Sequence, residues 1–559
     1  MNTKWISWFV AVIAAFFFGV GGPAAGTQRR RPVVVQLLAI NDLHGRLDPP
    51  AGGDGLVNRI PAGGVEYLAT HVRNAVRENP NSILVAAGDL MGASPLLSAL
   101  FHDGPTIEAM NAMNLAVTSI GNHELDRGPS EFFRRLKGGC LLEERCRAGE
   151  ATEPARFRYL AANIVKTGSS DRTLLPATAV FTVGGVKIGF IGEILEASPA
   201  VISASSVQGL RFLEESGVAN EAAGQLERQG VHAIVLLIHQ GGRQRPASGD
   251  TDPNGCVNFS GAIEPLARKL SPSIKLIISA HTHEFYNCAI GGHTVTAAGS
   301  YGRLLTRVNL SIDPGSDRIL SLDAKNEIVT HDVAKDLAQT AILERFRPGA
   351  ARIADRAVGT VTGEISSRRN DAGESALGDV IADGQLAAVS APENGGAVVA
   401  FMNSGGIRGG IAGRIRPDGM RDVSFGDLYS VQPFGDQLTV STMTGEMIRR
   451  LLEEQFRTET RSPILQVSHG FTYRYRADAP PGGHVVPGSI ALNGRPIAPD
   501  DKIRVEMIDF LIQGGDGFTV PREGVDPMTG PLDLDALVDH FRAHSPVAPG
   551  PQDRIVRID

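Results

Sequence analysis

Cysteine is scarce in this sequence, four among 559 residues, and Cys140, Cys146, Cys256 and Cys288 contain no C-x-x-C pair. That spacing excludes a cysteine-bound zinc or a dithiol redox centre. Positive charge is also in short supply: 54 Lys and Arg against 61 Asp and Glu leave a net charge of -7. No basic stripe is available to follow a phosphate backbone, so polymeric DNA or RNA is not expected as a partner, whereas a small anionic ligand needs only a local cluster. Beyond the first twenty residues no apolar run is long enough to span a bilayer. Internal repeats and extended low-complexity tracts are absent as well, and the carboxyl end, HSPVAPGPQDRIVRID, carries no hydrophobic tail of the kind that signals a lipid anchor. What remains is soluble-protein composition, 42% hydrophobic and 21% charged, in a chain too long for one core. About 150 residues per domain allows two to four.

Residues 1–26 stand apart. Lys4 precedes the apolar run Trp5 to Val20, and the small residues Gly21 to Gly26 follow, the layout of a secretory signal peptide. An uncleaved anchor is the competing reading, favoured by Arg29, Arg30 and Arg31 directly after it. The expected location is secreted, periplasmic or at the cell surface, with no stable membrane partner once the leader is removed. Export makes cysteine pairing expected, and the shorter loop closures are Cys140 with Cys146 and Cys256 with Cys288. Nothing in the sequence speaks to oligomeric state.

From Val33 to about Ser311 short apolar runs alternate with helix-like segments, the pattern of an α/β layered domain. The first run, VVVQLLAINDLHG, is apolar on consecutive positions, as in a strand covered on both faces, and parallel sheets place their chemistry at the carboxyl ends of such strands. It ends in Asp42 and His44, which alternate across Leu43 and are expected to point the same way. The pattern recurs. SILVAAGDL ends in Asp89, AVTSIGNHELD in Asn122, His123 and Asp126, HAIVLLIHQGG in His239, and IKLIISAHTHE in His281 and His283. Any one of these residues could simply cap a turn; together at five strand ends they form the donor set of a two-cation site. In that reading Asp42 and His44 serve one metal, Asp89 bridges, Asn122 and His239 serve the second, and His281 and His283 reach one metal each. His, Asn and Asp suit zinc, manganese and similar divalent ions alike.

Downstream, HDVAKDLAQTAILERFR (His331 to Arg347) places Val333, Leu337 and Ala341 at helical spacing with Pro348 just beyond, and is expected to be a connecting helix. A second apolar, glycine-rich region follows, holding NSGGIRGG, VSFGDLYSVQPFGDQLTV, the helix-like TGEMIRRLLEEQF and IRVEMIDFLIQGGDGF. Pro- and Gly-rich APPGGHVVPG (Ala479 to Gly488) is expected to be an exposed loop.

D-x-H, GD, GNHE, H and H-x-H, in this order, resemble the calcineurin-like metallophosphoesterase superfamily, and NDLHG, AAGD, GNHELD and AHTHE are similar to its 5'-nucleotidase branch. The resemblance implies a four-layer α/β sandwich with a dimetal site, joined by a helix to a second α/β domain that binds the nucleotide and rotates to deliver its phosphate to the metals. It implies boundaries of 33–330 for the first domain, 331–354 for the linker helix and 355–559 for the substrate domain. It identifies His123 and Asp126 as a catalytic pair, which suits an imidazole beside Asn122 oriented by a carboxylate three residues on. In the second domain NSGGIR (Asn403 to Arg408) matches the nucleotide-binding loop, where Arg408 offers a planar fork for phosphate oxygens. Phe434 in PFGD and Phe510 match the two aromatics that sandwich the base, and Asp516 matches the residue that takes the ribose hydroxyls. Three departures stand out: Ser404 replaces a glycine common in the loop, His283 stands where some periplasmic relatives carry Gln, and both Arg368 and Arg369 precede GESALG, with Arg368 taken as the further phosphate arginine.

The expected activity is removal of the 5'-phosphate from nucleoside monophosphates by metal-activated water. Rival readings are a 2',3'-cyclic nucleotide phosphodiesterase or nucleotide-sugar hydrolase such as a UDP-sugar hydrolase on the same site, and a non-catalytic nucleotide-binding surface protein. A thiosulfate-oxidising hydrolase shares the dimetal scaffold, but Phe434, Phe510 and Asp516 argue against it.

Overall fold

The opening strand is apolar at every position but Gln36 because two different cores claim its two faces. Val33–Ile40 is a β-strand; Val35, Leu37 and Ala39 enter the core between two sheets, while Leu38 and Ile40 enter the core beneath a helical layer. Ala233–His239 divides in the same way, with Val235 and Leu237 inward and Ile234, Leu236 and Ile238 toward helices. This is the period-2 rule acting on strands covered on both faces, from Val35 onward in the opening strand. The computed structural model describes residue 1 and residues 31–139, 151–168, 173–247, 250–456 and 464–558. Residues 2–26 of the expected leader, Arg29, Arg30 and the expected Cys140–Cys146 pair lie outside the described residues.

The first six-stranded sheet runs Arg318–Ile328, Leu304–Asp313, Val33–Ile40, Ser82–Ala86, Leu115–Ser119, Arg158–Leu160. Its last four strands are parallel, and Leu304–Asp313 is antiparallel to both its neighbours. The second runs Phe285–Ile290, His293–Ala298, Ile274–Ser279, Ala233–His239, Val186–Ile194, Thr178–Val183, parallel through its middle four with antiparallel edges. Helices Val65–Glu78, Gly104–Ala112 and Gly128–Lys137 cover the first sheet through Leu68, Val72, Ile107, Met110 and Phe132. Glu215–Arg228 and Ile263–Ala267 cover the second through Ala219, Leu226, Ile263 and Leu266. Helix, sheet, sheet and helix give the expected four-layer sandwich. Cys256 and Cys288 form the expected disulfide, with Cα atoms 5.2 Å apart, tying a surface loop to an edge strand of the second sheet.

The connecting helix differs from its expected form. It spans Leu337–Ala354, starting six residues later than expected and continuing through Pro348. Asp336 sets the start, its carboxylate accepting from the backbone N–H of Ala338 (3.0 Å) and Gln339 (3.1 Å), as an N-cap does. The stripe through Leu337 is not the buried one: Leu337 is 81% exposed, and the inward face is Gln339, Leu343, Phe346 and Ala350. Burial on both sides of the proline holds the helix through it, against an interior-proline cost of about 3 kcal/mol. The helix packs on Val65–Glu78, Leu96–Ala99 and Gly104–Ala112 and also on Phe425–Val431 of the second domain.

In the second domain a five-stranded sheet runs Gln466–Val467, Val399–Met402, Lys502–Ile508, Gln437–Thr444, Val525–Leu532. Helices Ala376–Val389 and Asp533–His544 close its core through Leu377, Ile381, Leu537 and Phe541. The helix-like Thr444 segment is a helix, Gly445–Glu453, capped by the Thr444 hydroxyl, which accepts from Met447 N–H at 3.1 Å. Most of Ala479 to Gly488 is exposed as expected, but His484 and Val485 are buried, and the His484 ring stacks on Phe456 at 4.5 Å. Among the described residues no helix is long and apolar enough to cross a membrane.

Candidate active site

Strands from both sheets deliver their ends to one place, but the final aim is set by turns. Asp42 and His44 do not extend the strand, which stops at Ile40; both lie in left-handed backbone, with φ of 49° and 51°. Simple alternation across Leu43 therefore does not align them. Asp89, His281 and His283 share this conformation, with φ of 50°, 73° and 58°, whereas Asn122 (φ -70°) does not. Left-handed non-glycine residues are uncommon and concentrate where a structure needs a side chain turned sharply.

The side chains converge tightly. His44 Nε2 is 2.9 Å from His283 Nε2 and 3.6 Å from Asp89 Oδ2; Asp42 Oδ1 is 3.6 Å from His283 Nε2. His239 Nε2 is 3.0 Å from Asp89 Oδ2 and 3.1 Å from Asn122 Oδ1, which also lies 3.1 Å from His281 Nδ1. Among the described residues, three groups have donor atoms within 4.8 Å of one another: Asp42, His44 and His283; His44, Asp89 and His123; Asp42, Asp89 and His239. The surrounding hydrogen bonds test whether a cation fits. His44 Nδ1 donates to Gly92 O at 3.0 Å and His239 Nδ1 to Ala87 O at 2.9 Å, which aims each Nε2 inward. His44 Nε2 meets His283 Nε2 lone pair to ring nitrogen. His239 Nε2 faces the Asp89 carboxylate; burial opposes charge there, but the carboxylate outweighs it and raises the His239 pKa to about 9. Such crowding of ring nitrogens and carboxylates suits a positive ion, and a backbone carbonyl on the other ring nitrogen is the usual support of a metal-bound histidine. Burial holds His44 and His283 well below the ordinary histidine range, in the neutral form a metal requires. The residues present fit a pair of divalent cations.

His123 and Asp126 are together as expected, His123 Nδ1 lying 3.0 Å from Asp126 Oδ2. The His123 backbone N–H donates to Asp89 Oδ1 at 3.0 Å, so this loop and the central carboxylate are built as one unit. Burial opposes charge on His123, but the Asp126 and Asp89 carboxylates outweigh it and raise its pKa.

The sequence motifs assign no role to Glu124, though it stands within GNHE. Fully buried, its carboxylate accepts from the backbone N–H groups of Gly121 (2.7 Å), Leu90 (2.8 Å), Asp89 (2.9 Å) and Met91 (3.3 Å), and from the Tyr159 hydroxyl at 3.2 Å. It ties two strand-end loops together. Gly121 must be glycine for the same reason, since a Cβ there would meet Asp89 Oδ1 at 2.1 Å. Glu124→Ala would strand these buried donors, and thermal unfolding of the variant should show a loss of about 3 kcal/mol or more; an unchanged melting temperature would contradict the assignment.

The second domain closes over this centre. A cleft of about 450 Å³ is lined by His123, His281 and His283 from one side and by Asn403, Arg408, Phe434, Phe510 and Asp516 from the other. Arg408 Nη2 reaches to 3.4 Å from His44 Nε2, and its carbonyl accepts from Arg46 Nη2 at 2.9 Å and the Tyr301 hydroxyl at 3.2 Å. Asn403 Nδ2 donates to Asp516 Oδ2 at 2.7 Å. The Phe434 ring stacks on His123 with centroids 5.6 Å apart, and Phe510 lies over Gly515, where a Cβ would meet its ring at 2.3 Å. One expectation is corrected. Arg368 is exposed and does not line the cleft; Arg369 does, donating to Ser404 Oγ at 3.5 Å.

Residues 35–285 match the calcineurin-like phosphoesterase family and residues 357–523 the 5'-nucleotidase C-terminal domain. The chain is 30% identical over 563 residues to endonuclease YhcR of Bacillus subtilis (strain 168), covering 98% of this chain but 43% of that protein. It is 31% identical to cell wall protein Lmo0130 of Listeria monocytogenes serovar 1/2a (strain ATCC BAA-679 / EGD-e), covering 93% of this chain and 69% of that one. Among solved structures, a 5'-nucleotidase precursor from Thermus thermophilus superposes with a TM-score of 0.77 at 23% identity, over 94% of this chain and 100% of that chain, a likeness of fold. The motifs at the strand ends, the two domain matches and the shared length with the Listeria protein agree, and the chain belongs to the 5'-nucleotidase family of calcineurin-like metallophosphoesterases.

Proposed function

We propose that this chain is an exported, divalent-metal-dependent phosphohydrolase that removes the 5'-phosphate from nucleoside monophosphates. In this reading residues 33–330 carry the hydrolytic centre, 331–354 connect, and 355–559 hold the nucleoside. The observation that carries it is the meeting of two unlike half-sites in one cleft, the guanidinium of Arg408 at 3.4 Å from His44 Nε2 with Phe434, Phe510 and Asp516 on the same walls. Asp42, His44 and His283 on one side and Asn122, His239 and His281 on the other would hold the two cations, with Asp89 between. Bound there, the cations would supply Lewis-acid activation of water and neutralise phosphoryl oxygens.

The protein's own groups do the rest. Arg408 and Arg369 orient the phosphate through fork-shaped donors. His123, kept in orientation by Asp126, donates to the oxygen on which charge develops as the ester bond breaks. Asp516 and Asn403 present an acceptor and an amide to the ribose, and Phe434 and Phe510 offer aromatic faces to the base. Export is supported by the Cys256–Cys288 disulfide, which persists in oxidising compartments, and by likeness to a protein named for the cell wall.

Phe510→Ala is the clean test of the nucleoside site. It should lower kcat/KM for AMP about 5- to 150-fold, the scale of one lost stacking face, and leave a small aryl phosphate nearly unaffected. Phe434→Ala should affect both substrates, because that ring also packs on His123. Equal losses for Phe510→Ala on both substrates, with a large drop in melting temperature, would reject the nucleoside reading.

A further inference from the structure

Arg408 belongs to the second domain, yet its main chain is gripped by the first. Its carbonyl oxygen accepts from Arg46 Nη2 at 2.9 Å and from the Tyr301 hydroxyl at 3.2 Å. Close by, the Gly410 N–H donates to Asp54 Oδ2 at 2.9 Å. Between these contacts a Cβ on Gly409 would meet Arg46 Nη2 at 3.1 Å and Asp54 Oδ2 at 3.3 Å, so a bare backbone is what fits the clasp. Arg46 and Tyr301 are buried and support each other, the guanidinium carbon lying 4.4 Å from the phenol ring centroid.

Both residues are anchored to the hydrolytic centre. Arg46 follows closely on His44, and its N–H donates to Leu43 O at 3.1 Å. The Tyr301 N–H donates to Asp42 O at 2.8 Å, and its ring packs edge-on against those of His283 and His44, with centroids 5.4 and 6.0 Å away. Held by its carbonyl, Arg408 keeps its guanidinium for other partners. Nη1 donates to Gly405 O at 3.3 Å and Nη2 lies 3.4 Å from His44 Nε2, while Nε is buried with no hydrogen-bond partner among the described residues. Nε and Nη2 form the side of the fork that takes two phosphate oxygens together.

We infer that Arg46 and Tyr301 are positioning residues that dock the Arg408 main chain against the first domain and so set its guanidinium over the hydrolytic centre. The inference rests on the reading of Arg408 as a phosphate ligand. It assigns the aim of that side chain to the first domain, so the arginine is in place only when the two domains meet. The effect is independent of the leaving group, because the clasp touches neither base nor ribose.

The test uses the full chain supplied with divalent metal, with AMP and p-nitrophenyl phosphate as substrates and bound metal measured in each variant. Arg46→Ala should lower kcat/KM about tenfold on both substrates, the scale of one charged hydrogen bond, with bound metal unchanged. Arg46→Lys should recover part of the loss. Tyr301→Phe removes a hydroxyl and keeps the ring against both histidines, and it should cost about fivefold. Once Arg408→Ala has removed the guanidinium, adding Arg46→Ala should cost less than about twofold more on p-nitrophenyl phosphate, since both changes act through one group. Full additivity in that double variant would overturn the inference and leave the phosphate role of Arg408 standing, as would parent kinetics in both Arg46→Ala and Tyr301→Phe. Loss of bound metal in both of those variants would also overturn it, marking the pair as supports of Asp42 and His44. Parent kinetics in Arg408→Ala would overturn the phosphate reading and the inference with it.

Discussion

Replacing Asp89 by asparagine should lower phosphate release by more than about 100-fold, beyond what loss of a supporting residue around a metal costs, and reduce bound divalent metal below two per chain. Asp89 lies between the histidines of the two half-sites, with Oδ2 3.0 Å from His239 Nε2 and 3.6 Å from His44 Nε2 and Oδ1 engaged by the His123 N–H. Asparagine keeps the shape and can keep the bond to His123 through its carbonyl oxygen. It brings no charge, and its amide nitrogen cannot act as a donor between cations. Metal analysis after chelation and reconstitution, alongside phosphate release, checks both halves. Two ions per chain with normal turnover would remove Asp89 from the centre.

His123→Ala separates chemistry from assembly. The proposed arrangement assigns the cations to other side chains, although His123 stands within donor distance of His44 and Asp89, so both metals should remain while kcat falls roughly 10² to 10⁴-fold, the usual loss for a positioned proton donor. KM for AMP should move less than kcat. The Phe434 ring loses its stacking partner in this variant, so a melting curve belongs beside the kinetics. A variant with full kcat would show that the His123–Asp126 pair serves the loop and not the reaction.

Much of this site is legible in the sequence, because strands buried on both faces are continuous apolar runs and their ends are easy to find. Val33–Ile40 and Ala233–His239 show it, each feeding two cores. The connecting helix is harder. Val333, Leu337 and Ala341 fit a helical period, yet the face that packs is decided by neighbours remote in sequence, such as Phe101, whose ring meets Phe346 at 4.9 Å. Proline reads as a stop, though here tertiary burial carries the helix through it. Adjacent arginines are a similar case: Arg369 pairs through its backbone with Ser375 and turns toward Ser404, while Arg368 turns out, and composition alone cannot choose between them. Glu124 is hidden by its neighbours, since a carboxylate that only accepts from backbone N–H groups leaves no spacing of its own.

The left-handed turns at Asp42, His44, Asp89, His281 and His283 have a consequence for how such a centre can vary. Aspartate, asparagine and histidine are among the few residues other than glycine that settle readily into that backbone region, and they are also the ones that offer oxygen or imidazole nitrogen to a cation. Loop geometry and coordination thus screen for the same short alphabet. At these five positions a β-branched replacement would be rejected by the chain itself before any ion was sensed, and a drop in metal content would not show which requirement had failed. Asn122 and His239, on ordinary backbone, lack this double filter.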